Sequence, residues 1–514
     1  MTRGFLFAVC IVPFIVLATL NSAGYRYGAS DQAFYVPAIL ERLDPGLFPR
    51  DSALIHSQAK LTLIDEAAAG LTRTTGLSVQ MFFAILYGVT LCTLAWAALS
   101  LGGELFATRA AAVALVFALT LRHQITKTGT NTLEGYFHPR QFAFALGALA
   151  VVWFLRRGVT WQSIALVAAA GVIHPTTAFW LSIWLGVAAF VAAPRLRPAM
   201  AAIAVVLVTV GAWTLVSGPL EGRLVRMDDE WRATLATKDY LFPLEWPASA
   251  WAVNLGYIPL IVIGFFRRRS AGVLRERELA VMVGCLSLVI VFAGALVLHA
   301  NRIAIGFQLQ PSRIFWMLDF LATVYAIWML AEDPALRNHA LRKPALSERS
   351  ESKGESKSES KGRAATVAAI VILLTVVRGS YVAYVRFPER SMAKIDLPDS
   401  DWKRAMNWAQ ATDRGSHWLA DPYHAARYGS SLRVAGRRDV FVEEIKDSAI
   451  GMYERDVAVR TRDRMAALGD FDSLTEAGAT ELASRFDLDY LIAEKPLGLP
   501  VAFRSGTLTV YRLR

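Results

Sequence analysis

The sequence is poor in charged residues and in cysteine. Charged residues make up 19% of the 514 residues and hydrophobic residues 54%, whereas ordinary globular proteins carry about 25% charged residues. The three cysteines, Cys10, Cys92 and Cys285, lie in apolar runs without CxxC spacing, which argues against a disulfide framework. This composition excludes a soluble multidomain enzyme and is typical of a polytopic membrane protein.

The positive net charge of +11 is confined to part of the chain. Residues 386–514 contain 20 Lys and Arg and 20 Asp and Glu, so the basic excess lies among the hydrophobic segments. Basic residues that flank membrane helices orient those helices, and this explains the excess better than a nucleic-acid-binding face. We therefore expect no nucleic-acid partner.

The apolar runs predict an α-helical polytopic membrane protein. About eleven runs approach the 17–25 residues that a transmembrane helix needs. The third and fifth are short, and the first is interpreted as an uncleaved helix rather than a signal peptide. The runs lie near residues 4–20, 78–100, 109–121, 140–155, 162–173, 176–193, 199–217, 250–266, 279–298, 313–331 and 365–385.

Basic residues recur on alternate predicted loops, and this pattern sets an orientation. Arg156, Arg195 and Arg267 each belong to a basic cluster, and together with Arg3 they define a cytoplasmic side. An odd number of helices then places the C-terminal segment outside. The sequence therefore predicts a multi-pass protein of the inner (plasma) membrane with a cytoplasmic N-terminus.

Composition divides the chain into a membrane domain, residues 1–385, and an extracytoplasmic domain, residues 386–514. The first part contains a large external loop, 21–77, and a Ser/Glu/Lys-rich segment, 345–363, which predicts a disordered cytoplasmic linker. The second part predicts a small α/β domain without a GxGxxG or GxxxxGK[ST] nucleotide motif. We predict its strands at 417–420, 439–442, 490–493 and 508–511, and its helices at 401–410, 453–468 and 475–486.

Ionisable residues gather in the predicted external loops. Such residues at a membrane edge are costly and usually face a cavity or a partner, so we expect the working site at the outer membrane boundary. The acids of the fourth loop, near Arg226 and Arg232, are typical of a solvated, internally paired helix face. The full set is Asp31, Glu41, Asp44 and Asp51, then Glu134, His138 and Arg140, then His174, then Asp228, Asp229 and Glu230, and finally His299, Arg302, Gln308, Gln310 and Arg313.

The first external loop contains Asp31-Gln32-Ala-Phe-Tyr35, an acidic residue soon after the first helix with a tyrosine four positions later. With the multi-helix core and C-terminal external domain, this resembles the GT-C superfamily of integral membrane glycosyltransferases, such as the protein mannosyltransferases and the aminoarabinose transferases of lipid A. The sequence-specific resemblance runs only from Asp31 to Tyr35. Many members have two adjacent acids where this chain has Asp31-Gln32; Glu134 is either the second acid or a solvated loop residue. The chain has no WWD-type motif.

The resemblance implies a polyprenyl-phosphate-linked sugar donor, an extracytoplasmic acceptor (lipid, glycan or protein) and contact with membrane lipid. It leaves open a need for a divalent metal, and the sequence contains no cofactor motif. An inverting displacement needs a base for the acceptor hydroxyl and cations for the departing phosphate. Asp31 is the candidate base. The candidate substrate-binding residues are Tyr35, Glu134, His138, Arg140, His174, Arg302 and Arg313.

Each candidate also has a structural interpretation. Asp31 precedes an apolar helix and has the residue type of an N-cap. Arg140 and Arg313 are also typical of interfacial anchors, and His174 of a helix-end histidine that bonds a local carbonyl. The aromatic segment 238–246 either lines a sugar or lipid cleft or belongs to an interfacial aromatic belt.

Two further functional classes stay open alongside a glycosyltransferase. One is a transporter or flippase for a lipid or an anionic solute, which Asp319 and Arg378 favour because they lie within predicted helices. The absence of an inverted repeat argues against it. The other is a non-catalytic membrane scaffold whose external domain binds cell-envelope partners.

Overall fold

The computed structural model describes residues 3–335 and 352–514, with side chains for 4–335 and 361–514. It is 67% helical, and each predicted apolar run coincides with a helix. Within the described residues, eight helices are long and apolar enough to cross a membrane. The bundle consists of Arg3–Asn21, Val79–Leu105, Arg109–Ala118, Pro139–Arg157, Trp161–Ile173, Pro175–Ala192, Arg197–Val216, Ala248–Ser270, Glu278–Ala300, Ile314–Glu332 and Ser352–Tyr381.

Side-chain caps fix where bundle helices begin. The first amides of a helix have no partner within it, so a preceding side-chain acceptor stabilises the start. Ser78 accepts from the amide of Met81, and Thr160 forms a reciprocal capping box with Ser163. These two helices start within one residue of the predicted runs that begin at 78 and 162.

The helix Arg197–Val216 has an environment that only a membrane supplies. None of its 20 residues is buried, although it is apolar along its whole length. A helix that is hydrophobic all round and unburied would be insoluble in water. The chain is therefore an α-helical membrane protein.

The helix Ser352–Tyr381 begins inside the segment 345–363 that the sequence predicts to be a disordered linker. Residues 345–351 lie outside the described residues, whereas 352–363 are helical. Extending an existing helix adds a hydrogen bond per residue without a new nucleation step. The apolar C-terminal half of this helix therefore stabilises the helical conformation of its polar first part, whose sequence has no hydrophobic face.

The large loop after the first helix, here called the first loop, is itself folded. It contains three helices, Gln32–Leu43, Ser52–Ala59 and Ile64–Thr75. Before them, the strand Tyr25–Arg26 pairs in parallel with Ala393–Lys394, just beyond the last bundle helix. The first loop is thereby joined to the start of the C-terminal domain. Short helices also form in later connections, at Asp229–Leu235 and Ala304–Gln308.

The C-terminal domain is built on a five-stranded sheet. Its strands lie in the order Asp439–Val440, His417–Leu419, Tyr490–Ala493, Leu508–Arg512 and Val501–Ser505. The first three are parallel and the last two antiparallel to their neighbours. All four predicted strands are present, and Val501–Ser505 is an additional edge strand. Helices follow at Asp401–Gln410, His424–Tyr428, Leu432–Ala435, Glu444–Ile450, Arg455–Leu468 and Glu476–Phe486.

Successive side chains of the strands point to opposite faces of this sheet. Trp418 packs on one face in a cluster with Trp402 of the helix Asp401–Gln410. Leu419 packs on the other face, against Leu482 of a later helix. Both faces of the sheet are therefore covered by helices, and for this reason the strand sequences are short apolar runs.

A buried set of charges joins the C-terminal domain to the first loop. Arg433, whose side chain is 2% exposed, donates to Asp51 of the first loop at 2.8 Å and to both oxygens of Asp447, at 2.6 and 3.0 Å. The amide of Val440 also donates to Asp51 at 3.0 Å. Asp51 itself is fully buried, and its cationic partners in the described part of the chain, Arg433 and Arg460, both belong to the C-terminal domain.

The acids Asp228 and Glu230, which were predicted to pair within their own helix face, pair with arginines of the C-terminal domain. Asp228 and Glu230 pair with Arg455 of the C-terminal domain, and Glu230 also pairs with Arg462. Arg232, the expected local partner, pairs with Glu245 instead. The reason is that the helix Arg455–Leu468 packs beside this segment and brings a row of arginines that sequence spacing alone does not reveal.

Replacing Arg433 by Met should separate the two domains. The substitution keeps most of the volume but removes the cation that Asp51, Asp447 and the buried Glu443 share, and loss of one partner of a buried pair costs about 3–5 kcal/mol. We expect a clearly lower thermal unfolding midpoint and faster proteolysis of the C-terminal domain. Arg427→Met is the matched control, because Arg427 also pairs with two carboxylates but is 41% exposed, where a pair contributes at most about 1 kcal/mol. Equal midpoints for the two variants would contradict this account.

Candidate functional site

Asp31 occupies the N-cap position of the helix Gln32–Leu43, yet its side chain caps no amide. The carboxylate turns away from the helix: Oδ2 accepts from His138 Nε2 at 3.1 Å and Oδ1 from Lys446 Nζ at 2.9 Å. Gln32 instead accepts from the amide of Gly28 through its side-chain oxygen. The capping interpretation of Asp31 is therefore not supported, and its carboxylate is committed to tertiary contacts.

His138 is held in one tautomer by the helix that it begins. Its Nδ1 accepts from the amide of Arg140 at 3.1 Å, so the proton of the neutral ring is on Nε2, which donates to Asp31. Burial, together with the nearby charge of Arg140, lowers the pKa of His138 to about 3. The ring is therefore neutral near pH 7 and acts as a fixed hydrogen-bond donor to the carboxylate.

Asp31 opens onto a polar cavity of about 160 Å³. Five of the predicted site residues line it together, although they come from four separate parts of the chain. Residues of the C-terminal domain close its other side. The lining side chains used below are Asp31, Tyr35, Gln58, His138, His174, Lys238, Tyr240, Gln310, Arg313, Lys446 and Tyr453.

Arg313 supplies a cation to this cavity and forms no ion pair with a carboxylate of the described residues. It ends the short turn Pro311–Arg313, which follows Gln310 in a left-handed conformation (φ +48°). Its Nε is buried and has no hydrogen-bond partner among the described residues. A guanidinium in this state is suited to an anionic ligand, because its planar set of donors matches phosphate.

Arg140 and Glu134 lie behind the cavity rather than in its lining. Arg140 Nη2 donates to Glu134 at 3.3 Å, and Asn131 donates to the same carboxylate at 3.2 Å. Burial raises the pKa of Glu134, and the charges of Arg140 and Arg122 oppose that rise. Arg140 Nη1 is buried without a partner in the described part of the chain. Arg140 is close enough to lower the pKa values of both His138 and Asp31, although Glu134 balances its charge.

His174 caps the bundle helix Pro175–Ala192 and lines the cavity as well. Its Nδ1 accepts from the amide of Thr177 at 3.2 Å and from its hydroxyl at 2.9 Å, so it is an acceptor here and does not donate to a local carbonyl as the sequence suggested. Burial and the charge of Arg313 hold the pKa of His174 well below its ordinary value. Its Nε2–H therefore remains as a donor without a partner in the described residues.

The C-terminal domain contributes two residues that sequence reasoning missed, Lys446 and Tyr453. Lys446 belongs to the helix Glu444–Ile450, and its ammonium also lies 5.1 Å from the ring centroid of Phe34. No local pattern marks this lysine, because Glu-Glu-Ile-Lys-Asp is typical of any solvated helix. Lys238 and Tyr240, in contrast, come from the aromatic segment 238–246 that the sequence singled out.

A larger apolar cavity of about 400 Å³ adjoins the polar one. Tyr35, Gln58, His174 and Tyr453 line both cavities and so form the boundary between them. The remaining walls are mainly aliphatic or aromatic and come from the first loop and from three later segments. They include Leu61, Pro175, Phe179, Leu220, Ile305 and Leu309.

The charges around Asp31 decide its ionisation. Burial alone would raise its pKa, but Lys446 and the hydrogen bond from His138 together hold the pKa of Asp31 well below the ordinary value. Its side chain is 28% exposed, so the carboxylate is both ionised and accessible from the cavity. Such a group accepts protons and also attracts cationic partners.

Arg302 lies outside this constellation. Its backbone is left-handed (φ +57°), and its guanidinium pairs with Asp229 at 2.5 Å on the surface. It lines neither of the two cavities. Sequence position placed it in the same loop as Arg313, but the helix Ala304–Gln308 separates the two side chains.

Within residues 3–335 and 352–514, no group of three or more His, Cys, Asp or Glu side chains is arranged to hold a metal ion. Positive charge in the polar cavity comes from Arg313, Lys446 and Lys238.

Comparisons with protein-family models and with curated proteins gave no match to this chain. The chemistry of the polar cavity therefore carries the functional assignment. That chemistry consists of one ionised carboxylate, two neutral histidines and a group of cations beside an apolar chamber.

The ion pair between Lys446 and Asp31 predicts a measurable change in titration. Lys446→Met removes the cation that most strongly lowers the Asp31 pKa, so Asp31 should titrate at higher pH than in the wild type. Isotope-edited infrared spectroscopy of the Asp carboxyl band against pH measures this. A carboxyl group whose pKa is lowered by folding stabilises the fold above its unfolded pKa, and this stabilisation is lost as pH falls through the folded pKa. The folded pKa is higher in the variant, so on acidification its stability should begin to fall at a higher pH than that of wild type. Lys403→Met, in the same domain but outside the cavity, should titrate like wild type.

Proposed function

We propose that this chain is a membrane glycosyltransferase that moves a sugar from a polyprenyl-phosphate-linked donor to an extracytoplasmic acceptor by inverting displacement. The observation that carries the proposal is the state of Asp31: its carboxylate is ionised, does not cap its helix and opens into a cavity that contains an unpaired arginine. The resemblance to the GT-C superfamily in Asp31 to Tyr35 points to the same chemistry.

The two adjoining cavities suit the two halves of such a donor. A polyprenyl phosphate has a charged head and an apolar chain. The apolar cavity takes the first part of the chain, because burying apolar surface there stabilises the complex by roughly 25 cal/mol per Å². The polar cavity takes the phosphate and the sugar, and Tyr35 and His174 lie where the two parts meet.

In the transfer step, the acceptor oxygen attacks the anomeric carbon of the sugar as the bond from that carbon to the phosphate oxygen breaks. The phosphate leaves with the electron pair, and Arg313, Lys446 and the Nε2–H of His174 hold its charge. The acceptor proton passes to Asp31. His138 keeps the carboxylate oriented throughout.

Lys446 has a second effect on this step, since a carboxylate with a strongly lowered pKa is a weak base. A donor phosphate competes with Asp31 for the ammonium of Lys446. When the phosphate draws Lys446 away from Oδ1, the basicity of Asp31 rises at the time when a base is needed. Donor binding and base activation are thereby linked.

The transport alternative loses support from the surroundings of its two charged residues. Asp319 accepts from His123 at 3.1 Å near the start of its helix. Arg378, in the last turn of its helix, donates to Asn21 at 2.7 Å. Both are paired near helix ends, whereas a coupled transporter places ionisable groups along a path through the membrane. A scaffold does not explain the unpaired Arg313.

The orientation that this function requires places the polar cavity and the C-terminal domain outside the cytoplasm of an inner-membrane protein. A membrane-impermeant thiol reagent applied from outside should label Ser473→Cys, at an exposed position of that domain, and spare Ser270→Cys, at the exposed, basic end of the helix Ala248–Ser270. The parent chain serves as the control, since its cysteines lie in apolar helices. Labelling of Ser270→Cys alone would reverse the orientation and overturn the proposed function.

Substitution of Asp31 tests the catalytic role. Asp31→Asn keeps the shape but cannot take a proton, so transfer measured well below the unfolding midpoint should fall on the order of 10²-fold or more. The midpoint itself should fall as well, because Lys446 loses its counter-charge. Arg313→Lys keeps the charge but loses the bidentate geometry, so transfer should fall by a smaller factor. The assay follows release of undecaprenyl phosphate from donors carrying hexoses or pentoses, with a membrane extract as acceptor source.

Asp239→Asn is the matched control for this experiment, because Asp239 neighbours the cavity residue Tyr240 but its side chain is 59% exposed. It should transfer at the wild-type rate. An Asp31→Asn enzyme that matched Asp239→Asn in rate would remove the carboxylate from the mechanism. A wild-type chain inactive with every donor would contradict the proposed substrate class.

A further inference from the structure

A second polar cavity lies at the opposite end of the helix Gln32–Leu43, away from Asp31. Its volume is about 380 Å³, and it has no lining residue in common with the polar or the apolar cavity. Three arginines of the C-terminal domain, Arg414, Arg437 and Arg438, line it opposite the first loop. We call it the arginine pocket.

The charged residues in the lining of the arginine pocket are predominantly basic. Its lining includes one carboxylate, Asp44, which accepts from Arg414 at 3.0 Å. Arg438 donates only to uncharged oxygens, among them the carbonyl of Gln410 at 2.7 Å. Burial lowers the pKa of Arg438, the carboxylates of Asp413 and Asp439 raise it, and the like charges of Arg414 and Arg437 lower it. In the lining itself, three guanidinium groups lie beside one carboxylate.

The three arginines have different roles. Arg438 is 3% exposed and bonds carbonyls at the end of the helix Asp401–Gln410, so it has a structural function. Arg437 makes no hydrogen bond or ion pair that involves its side chain within the described residues, although it lies in the lining of the pocket. Arg414 is exposed and only singly paired. Arg437 and Arg414 are therefore the residues free to bind a ligand.

The backbone of Arg437 adds an independent observation. Its φ is +54°, a left-handed conformation that a residue with a Cβ adopts at a cost and that glycine adopts freely. Residues held in such conformations cluster at ligand sites. Here the conformation directs towards the pocket an arginine whose side chain makes no hydrogen bond or ion pair within the described residues.

The other wall of the arginine pocket is apolar and lies at the end of a membrane helix. Leu40, Leu43 and Leu47 come from the first loop, and Val79 begins the membrane-span candidate Val79–Leu105. A ligand in the pocket therefore meets arginines on one side and aliphatic side chains next to the bilayer on the other. This pairing suits a molecule with an anionic head and an apolar body.

We propose that the arginine pocket binds a phosphate group, in this position the headgroup phosphate of an anionic membrane phospholipid. The guanidinium groups of Arg437 and Arg414 bind the phosphate oxygens, and the leucines contact the first part of the acyl chains. A soluble phosphate ester shares the same head chemistry and is the other source of such a ligand. The site is independent of the proposed glycosyl transfer, since the cavities share no residue.

The test uses the full-length chain in a non-ionic detergent, titrated with phosphatidylglycerol, with phosphatidylcholine or with inorganic phosphate, while the thermal unfolding midpoint is followed. For wild type, phosphatidylglycerol should raise the midpoint and phosphatidylcholine should not, because only a ligand that prefers the folded state stabilises it. Arg437→Gly and Arg414→Gln should each weaken the apparent affinity for phosphatidylglycerol about tenfold or more, the loss typical of a charge-assisted hydrogen bond.

The controls separate ligand binding from folding. Arg437→Gly suits the left-handed backbone, so without lipid its midpoint should match or exceed that of wild type. Arg504→Gln, at an exposed position of the same domain outside every cavity described above, should keep wild-type affinity. A midpoint below wild type for lipid-free Arg437→Gly would make Arg437 structural and overturn the proposal, as would unchanged affinity in both pocket variants. Stabilisation by inorganic phosphate that Arg437→Gly abolishes would keep a phosphate site but replace the lipid with a soluble ester.

Discussion

The guanidinium of Arg433 is shut away from water among the carboxylates of Asp51 and Asp447, and the placement of the C-terminal domain depends on it. Asp447 follows Lys446 on one short helix, so the bidentate contact that fixes Asp447 also fixes the direction of Lys446. Lys446 then reaches Asp31 across the domain boundary. The candidate site is thus held by two linked sets of ion pairs, Arg433 with Asp51 and Asp447, and Lys446 with Asp31. Removing Arg433 would leave Asp51 and Asp447 without this cation.

Desolvation explains why the site is divided into two cavities. Tyr35, His174 and Tyr453 form the boundary between a chamber rich in cations and a chamber rich in aliphatic groups. An anion in the first chamber is removed from bulk water, where Arg313 interacts with it more strongly than it would at the surface. The neutral state of His138 and His174 prevents these rings from adding charge repulsion to a cluster that is already positive.

Sequence patterns predicted the parts of the fold that depend on local physics. Every apolar run became a helix, and the four predicted strands of the C-terminal domain formed because their apolar residues fit a sheet covered on both faces. Val501–Ser505 was missed because it is an edge strand without a clear alternating pattern. The helical start of Ser352–Tyr381 was missed because its polar composition gives no signal apart from the helix that follows.

The candidate site was predictable only as far as loop position could indicate it. Asp31, Tyr35, His138, His174 and Arg313 were expected together and do line one cavity. The sequence position of Asp31 fitted an N-cap equally well. Only the tertiary structure shows that its carboxylate points towards a histidine and a lysine. Lys446 could not be predicted, since its role arises from packing between distant segments. Arg302 had the expected residue type and loop, but a surface acid holds it elsewhere.

The separation of the paired charges along the chain has a consequence for biosynthesis. Asp31 and Lys446 are 415 positions apart, and Asp51 and Arg433 are 382 apart. At the usual rate of translation, about 5–20 residues per second, the ribosome adds Lys446 roughly 20–80 seconds after Asp31. During that interval Asp31 and Asp51 lack their cations from the C-terminal domain. The polar cavity is therefore completed only after the C-terminal domain has been synthesised.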